Sequence, residues 1–143
     1  MIILDTNVVS EPLRPEPAAP VLDWLDAQEP GTLYLTTVNL AELLASIESM
    51  PAGRRRTKLG GALVDRMLPL FEGRILPFDQ KAAQAFARIN ASAQSVGNRI
   101  SFADGAIAAI ASANGFLLAS RNVRDFRGTG VEIVDPWAPT ATP

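Results

Sequence analysis

Three acidic residues stand alone in apolar stretches. Asp5 is the only charged residue between Met1 and Ser10, Glu42 the only one between Pro30 and Ile47, and Asp104 the only one between Ile100 and Ser120. Burying an unpaired carboxylate costs several kcal/mol at least, so an acid kept in such a setting is neutralised or matched with a cation. Asp104 is the sharpest case. It lies in Ser-Phe-Ala-Asp-Gly-Ala-Ile-Ala-Ala-Ile-Ala-Ser-Ala-Asn, and its helical neighbours Ile107, Ala108 and Ala111 are all apolar. A helix apolar nearly all round is a core helix, and a first-turn acid suits its dipole. Three carboxylates brought together from such places would repel one another and raise their own pKa values unless a cation joined them. A divalent metal is the simplest partner.

The chain has no histidine and no cysteine. Counting alone removes Ser-His-Asp triads, histidine zinc sites, thiolate metal sites and disulfide frameworks. Hard oxygen ligands remain, and these suit Mg²⁺ or Mn²⁺. Each acid also has a structural reading. Asp104 could complete a capping box opened by Ser101. Glu42 could pair with a surface arginine or cap Asn39, and Asp5 could bond the turn through Thr6 and Asn7. Asp79 reads as an N-cap and stays outside the site.

The elements that must position these residues alternate in type. Strands are expected at 2–4, 33–35, 75–78, 116–119 and 131–134. Helices are expected at 17–28, 38–50, 54–72, from Asp79 to about Val96, and from Ser101 to Asn114. Gly60, Gly61 and Pro69 weaken the third pattern. This alternation predicts one α/β domain over residues 1–136, with a central, mostly parallel five-stranded sheet flanked by helices. A loose tail over 137–143 is expected from its Pro, Ala and Thr. Such sheets place sites at the carboxyl ends of strands, near a switch in strand order. Asp5 follows the first strand, and Arg121-Asn122 follow the fourth.

With 143 residues, 48% hydrophobic and 20% charged, the composition is that of one globular domain. The net charge of −2 excludes nucleic-acid binding by bulk electrostatics, so any such contact needs a local patch. The densest basic run is Arg54, Arg55, Arg56 and Lys58, which reads equally well as a solvated helix start. Met-Ile-Ile-Leu-Asp lacks a basic leader region, and no apolar run approaches the roughly 20 residues of a membrane span. A cytoplasmic location without membrane contact is expected.

Taken together, the motifs resemble the PIN-domain ribonucleases. Within these they resemble the VapC-type toxins of type II toxin–antitoxin systems, in the FitB-like subgroup. Asp5-Thr6-Asn7 is similar to the family's first motif, Thr37 to Glu42 to its second, Ser101 to Asp104 to its third, and Ala119 to Phe126 to its fourth. The likeness runs from residue 2 to about 136. It implies a PIN-like fold and a metal-dependent endoribonuclease that cleaves RNA with a metal-activated water. It also implies Mg²⁺, with Mn²⁺ as substitute, on Asp5, Asp104 and Glu42. The catalytic set implied is Asp5, Glu42, Asp104 and Asn122, supported by Thr6, Asn7, Ser120 and Asp125. The fourth motif often carries an acid where this chain has Asn122, so the resemblance implies one well-held metal and a weaker second. Arg121 and Arg124, and the run Arg54 to Arg56, are the candidates for RNA contact.

The family further implies a homodimer within a larger complex and a cognate antitoxin. An arginine of that antitoxin would replace the metal among the carboxylates. The helix near Val38–Ile47 and the stretch Leu63–Phe71 are the candidate faces for the homodimer contact. Because of Asn122, a catalytically weakened binding module of the same fold is the alternative. A receiver domain would need adjacent acids after the first strand and a lysine after the last. A haloacid-dehalogenase-type phosphatase would need an acid in place of Asn7.

Overall fold

The computed structural model describes residues 1–138. Five strands, β1 (Ile2–Leu4), β2 (Leu33–Thr36), β3 (Ile75–Leu76), β4 (Leu117–Ala119) and β5 (Ile133–Val134), form one sheet in the order β3-β2-β1-β4-β5. All four pairings are parallel. The chain first builds outward from β1 through β2 to β3, then returns to the other side of β1 with β4 and β5. The order therefore reverses between β1 and β4, and sheets of this kind have their crevice at such a reversal, at the carboxyl ends of the strands.

Side chains alternate across the strands, so each strand feeds two cores. Ile3 and Leu118 face α5 (Gln80–Ser95) and α6 (Phe102–Asn114), and pack with Ile107, Ile110, Ala85 and Ile89. Leu4 and Ala119 face the other way, towards Val8 and Val9 of α1 (Thr6–Ser10), Leu43 of α3 (Thr37–Glu48), Leu63 and Phe71. The small helix α2 (Ala19–Asp26), with Pro20 in its first turn, flanks this second core through Trp24 and Leu25.

Helix α6 is the core helix that its composition demands, with every residue from Gly105 to Ala111 buried. Gly105 has a packing role. A Cβ there would come within 2.8 Å of the Phe86 ring, so the missing side chain lets α5 and α6 close together. Ser101 caps α6, and Gly115, at φ +69, ends it.

The structure differs from the expected elements in four places, one being the fifth strand, which spans only Ile133–Val134. The pattern over 54–72 is not one helix. It comprises α4 (Arg54–Gly61), a π-helical turn (Ala62–Met67) and a 3₁₀ turn (Leu68–Phe71). The glycine pair weakens helix propagation where the geometry changes, and Pro69, which lacks an N–H, sits in the closing 3₁₀ turn. The third strand stops at Leu76 because Pro77 removes the next ladder donor. Residues 6–13, given no element by periodicity, fold as α1 and a 3₁₀ turn (Glu11–Leu13). Of the expected loose tail, residues 139–143 lie outside the described residues. Trp137 is partly buried against the second core. No described helix is long and apolar enough to cross a membrane.

Candidate active site

The crevice between β1 and β4 is organised around Asp5. Its carboxylate is 4% exposed and caps α1, accepting the Thr6 backbone N–H at 2.8 Å. The other carboxylate oxygen accepts the Ser120 hydroxyl at 2.7 Å and the Asn7 amide at 3.5 Å. Ser120 follows β4, so one hydrogen bond ties the two strand ends together. The Ser120 hydroxyl oxygen in turn accepts the Asn122 backbone N–H at 3.1 Å, and the Asn7 side-chain oxygen accepts that of Arg121 at 3.3 Å. The first and fourth motifs thus form one hydrogen-bonded unit.

Glu42 reaches this unit through Thr6, whose hydroxyl donates to the Glu42 carboxylate at 2.8 Å. The same hydroxyl oxygen accepts the Asn39 amide at 3.0 Å. Asn39 is fully buried and locked in a capping box with Thr36 at the start of α3: the Asn39 side-chain oxygen takes the Thr36 N–H at 3.1 Å, and the Thr36 hydroxyl oxygen takes the Asn39 N–H at 3.0 Å. Glu42 itself is solvent-exposed. Its setting is therefore not the buried one that its apolar stretch suggested, because it sits on the outward edge of α3 where the crevice opens.

Asp104 is half-buried in the first turn of α6, and its backbone N–H donates to the Ser101 hydroxyl at 3.1 Å. Burial and the neighbouring charge of Asp5 push its carboxyl up to about 6, with Asp125 and Glu42 adding in the same direction and Ser101 opposing. Burial likewise raises Asp5 above the ordinary carboxylate range. The Ser120 and Thr6 hydrogen bonds counter this, and the charge of Asp125 adds to it. Four acids from four elements therefore lie within electrostatic reach of one another. Among the described residues none of the four forms an ion pair, since the two salt bridges join Arg14 to Glu11 and Arg56 to Glu48.

The fourth acid is Asp125 rather than a residue at position 122. The Asn122 side chain is exposed and forms no hydrogen bond among the described residues. Asp125 lies in a 3₁₀ turn (Val123–Phe126) anchored by buried Phe126 and by Asn98, whose amide donates to the Asp125 carbonyl at 3.0 Å. Arg121 stacks on Trp137, and Arg124 is exposed. Arg54 and Arg55 are exposed on α4, while Arg56 pairs with Glu48 at 2.8 Å. No recorded contact joins Arg54, Arg55 or Arg56 to the acids. The sequence suggests Asn39 as a residue that Glu42 could cap, but its capping partner is Thr36, which sequence reasoning did not single out. The Thr-x-x-Asn spacing at the end of β2 is the signal that marks them.

Residues 2–131 match the PIN domain family. The chain belongs to that family. Among its relatives, a "VapC ribonuclease Y4jK" from Sinorhizobium fredii is 46% identical over 139 residues, covering 97% of this chain and 99% of that protein. "Toxin FitB" from Neisseria gonorrhoeae is 41% identical over 137 residues, covering 96% and 99%. A solved structure of FitAB bound to a DNA fragment contains a chain that superposes with a TM-score of 0.95 at 38% identity, covering all of both chains. The five-stranded parallel sheet is thus the PIN fold, as the motifs implied, and the acid cluster occupies its switch-point crevice.

The four acids fit a hard divalent cation in kind: carboxylate donors only, two with raised pKa values, and no paired cation. Among the described residues no three of them are already gathered at ligating distance. Glu42 and Asp125 are solvent-exposed, and Glu42 is held at the rim by the Thr6 hydroxyl.

Proposed function

We propose that this PIN-domain chain is the ribonuclease toxin of a toxin–antitoxin pair, a Mg²⁺-dependent endoribonuclease. The observation that carries the reading is the convergence of Asp5, Glu42, Asp104 and Asp125 on one crevice with no cation to balance them. In this reading Asp5 and Asp104 hold the divalent ion, and Glu42 and Asp125 complete the acidic rim. A divalent ion there supplies Lewis acidity to the scissile phosphodiester and makes water a competent nucleophile near neutral pH.

The chain's own residues supply orientation. The Ser120 hydroxyl and the Thr6 N–H fix both oxygens of Asp5, so its carboxylate presents one invariant edge to the crevice. Thr6, itself held by Asn39, aims Glu42. That leaves the outer carboxylate oxygen of Glu42 free to accept a proton from the attacking water. Asn122 is placed at the crevice rim by its backbone bond to Ser120 and can offer an amide to the substrate. Single-stranded RNA suits a crevice of this kind, because an unpaired backbone can enter where a duplex is excluded. An antitoxin with a basic side chain matches the same charge and is the partner that the relatives' names suggest.

The test is cleavage of total RNA by the purified chain in Mg²⁺, in EDTA, and by Asp104→Asn. Defined RNA ends that appear only with Mg²⁺ and vanish in the variant are expected. Mn²⁺ binding without cleavage would instead favour a binding module, and neither binding nor cleavage would overturn the proposal.

A further inference from the structure

Arg121 sits at the mouth of the acid crevice, yet it does not enter it. Its backbone N–H donates to Asn7, and Asn7 donates to Asp5, so only two hydrogen bonds separate its main chain from the most buried carboxylate. An arginine side chain long enough to reach uncompensated acids from so near a main-chain position is drawn to them. Instead, the Arg121 guanidinium lies 5.1 Å from the centre of the Trp137 ring, and it forms no ion pair among the described residues. Stacking on an indole, the best cation–π surface among side chains, gives it an alternative home.

Trp137 is built into that position. β4 and β5 pair in parallel with Ala119 beside Val134, and the Ser120 N–H donates to the Val134 carbonyl at 2.9 Å. The segments leaving both strands therefore emerge at the same carboxyl edge. The chain turns there, with the Trp137 N–H on the Asp135 carboxylate at 2.9 Å and Pro136 fully buried. The indole packs against the second core on one side and meets Arg121.

We propose that Trp137 is a positioning residue for Arg121, holding its guanidinium off the metal-binding carboxylates and at the crevice mouth, where it takes a phosphate of single-stranded RNA. This rests on the ribonuclease reading above and adds to it a device against self-neutralisation. Without the indole, the arginine falls into the acid cluster and competes with the cation. With it, the same positive charge is kept for the substrate.

Three measurements test this, using Trp137→Leu to keep apolar volume, Trp137→Phe to keep an aromatic face, and Arg121→Gln. The first is Mn²⁺ affinity by calorimetry. It should fall severalfold in Trp137→Leu, stay near wild type in Trp137→Phe, and recover when Arg121→Gln is added to Trp137→Leu. The second is the salt dependence of binding to a labelled single-stranded RNA in EDTA. The slope of log K against log salt should drop by about 0.7 in Arg121→Gln, the value for one lost phosphate contact on a single strand. The third is the Arg121 Nε–H resonance of the wild-type protein, which should be shifted upfield by the indole ring current. This last reading needs no substitution, so it stands even if Trp137→Leu fails to fold. An unshifted resonance, or unchanged Mn²⁺ affinity in a folded Trp137→Leu, overturns the positioning role. An unchanged salt slope in Arg121→Gln, in a protein that still binds and cleaves RNA, overturns the phosphate contact alone. A wild-type chain that binds neither Mn²⁺ nor RNA fails the ribonuclease reading itself, and this proposal falls with it.

Discussion

The two halves of α3 belong to regions of opposite character. Its first turns are polar and locked: Thr36 and Asn39 close a capping box, Asn39 holds Thr6, and Thr6 holds Glu42. Its later turns carry Leu43, Ser46 and Ile47, which with Met50 just past the helix and with Arg14, Arg55, Lys58 and Leu59 line a cleft of about 900 Å³. Polar side chains in the first region have directed partners and small freedom. The second region is apolar with basic residues at its rim, and it is flanked by α4 and the π-helical turn, where regular geometry breaks down. Exposed Val64 and Leu70 lie on that flank, and Leu70 is 67% exposed. A rigid, self-satisfied site suits chemistry, which needs fixed atoms. An apolar cleft next to irregular helix suits a protein partner, which supplies the missing contacts itself. The contrast sets a directed polar network against an apolar cleft within one helix.

The largest effect expected is on the polar side. Asp5→Ala or Asp104→Ala should lower RNA cleavage on the order of 1000-fold or more, with the circular dichroism of the fold retained. Near-wild-type cleavage by either would place the chemistry elsewhere. On the apolar side, Leu59→Asp should weaken capture of the co-expressed antitoxin by on the order of 30-fold, as for loss of one interface anchor, while RNA cleavage persists. Parallel loss of both activities would show that the two halves of α3 are not separable.

Smaller effects probe the linkage inside the site. Thr6→Val keeps the side-chain shape but removes the donor to Glu42 and the acceptor for Asn39, and should cost about 10–100-fold in cleavage, as for other supporting residues around a metal site. A change in KM with kcat intact would mean that Thr6 serves substrate binding instead. Asp125→Asn should raise the Mg²⁺ concentration for half-maximal cleavage, since Asp125 already acts on Asp5 and Asp104, whereas Asn122→Asp should change it little, since that side chain is exposed and held by no side-chain hydrogen bond among the described residues. The reverse ranking would return the fourth-acid role to position 122.

The smallest effect is on stability. Asp104 titrates near 6 in the fold against 3.8 when exposed, so between about pH 4 and pH 6 the folded chain keeps a proton that the unfolded chain has lost. Metal-free stability should therefore fall as pH rises through that window. Denaturant midpoints should show the fall, Asp104→Asn should reduce it to the share carried by Asp5, and added Mg²⁺ should oppose it, because the cation binds the charged form. A wild-type midpoint that rises with pH there would mean that a cation already pairs with the site.

The acids were legible in the sequence because their surroundings were not polar enough to explain them. Asp5 and Asp104 stand among residues that must be buried, and charge against that background is conspicuous. The alternation of strands and helices likewise followed from periodicity, as did the capping of α6 by Ser101. The neutral members of the site left weaker traces. Asn39 and Thr36 sit in a helix start where their residue types are common for local reasons, so their role in holding Thr6 emerges only when β1 and α3 meet in space. Trp137 was hidden by its company. Proline, alanine and threonine around it suggest a loose tail, while Arg121, the side chain it stacks against, lies sixteen positions away in sequence and just past the neighbouring strand. The break after α4 was visible as a glycine pair, yet propensity alone does not say that the chain continues as a π turn.

The two outer strands, β3 and β5, are two residues long each, and Pro77 closes one of them. Such margins offer too few free backbone donors and acceptors to template the addition of another strand. The chain is thereby shielded from growth into ordered aggregates through its sheet. Self-association is left to helical surfaces, where it can be reversible and saturable.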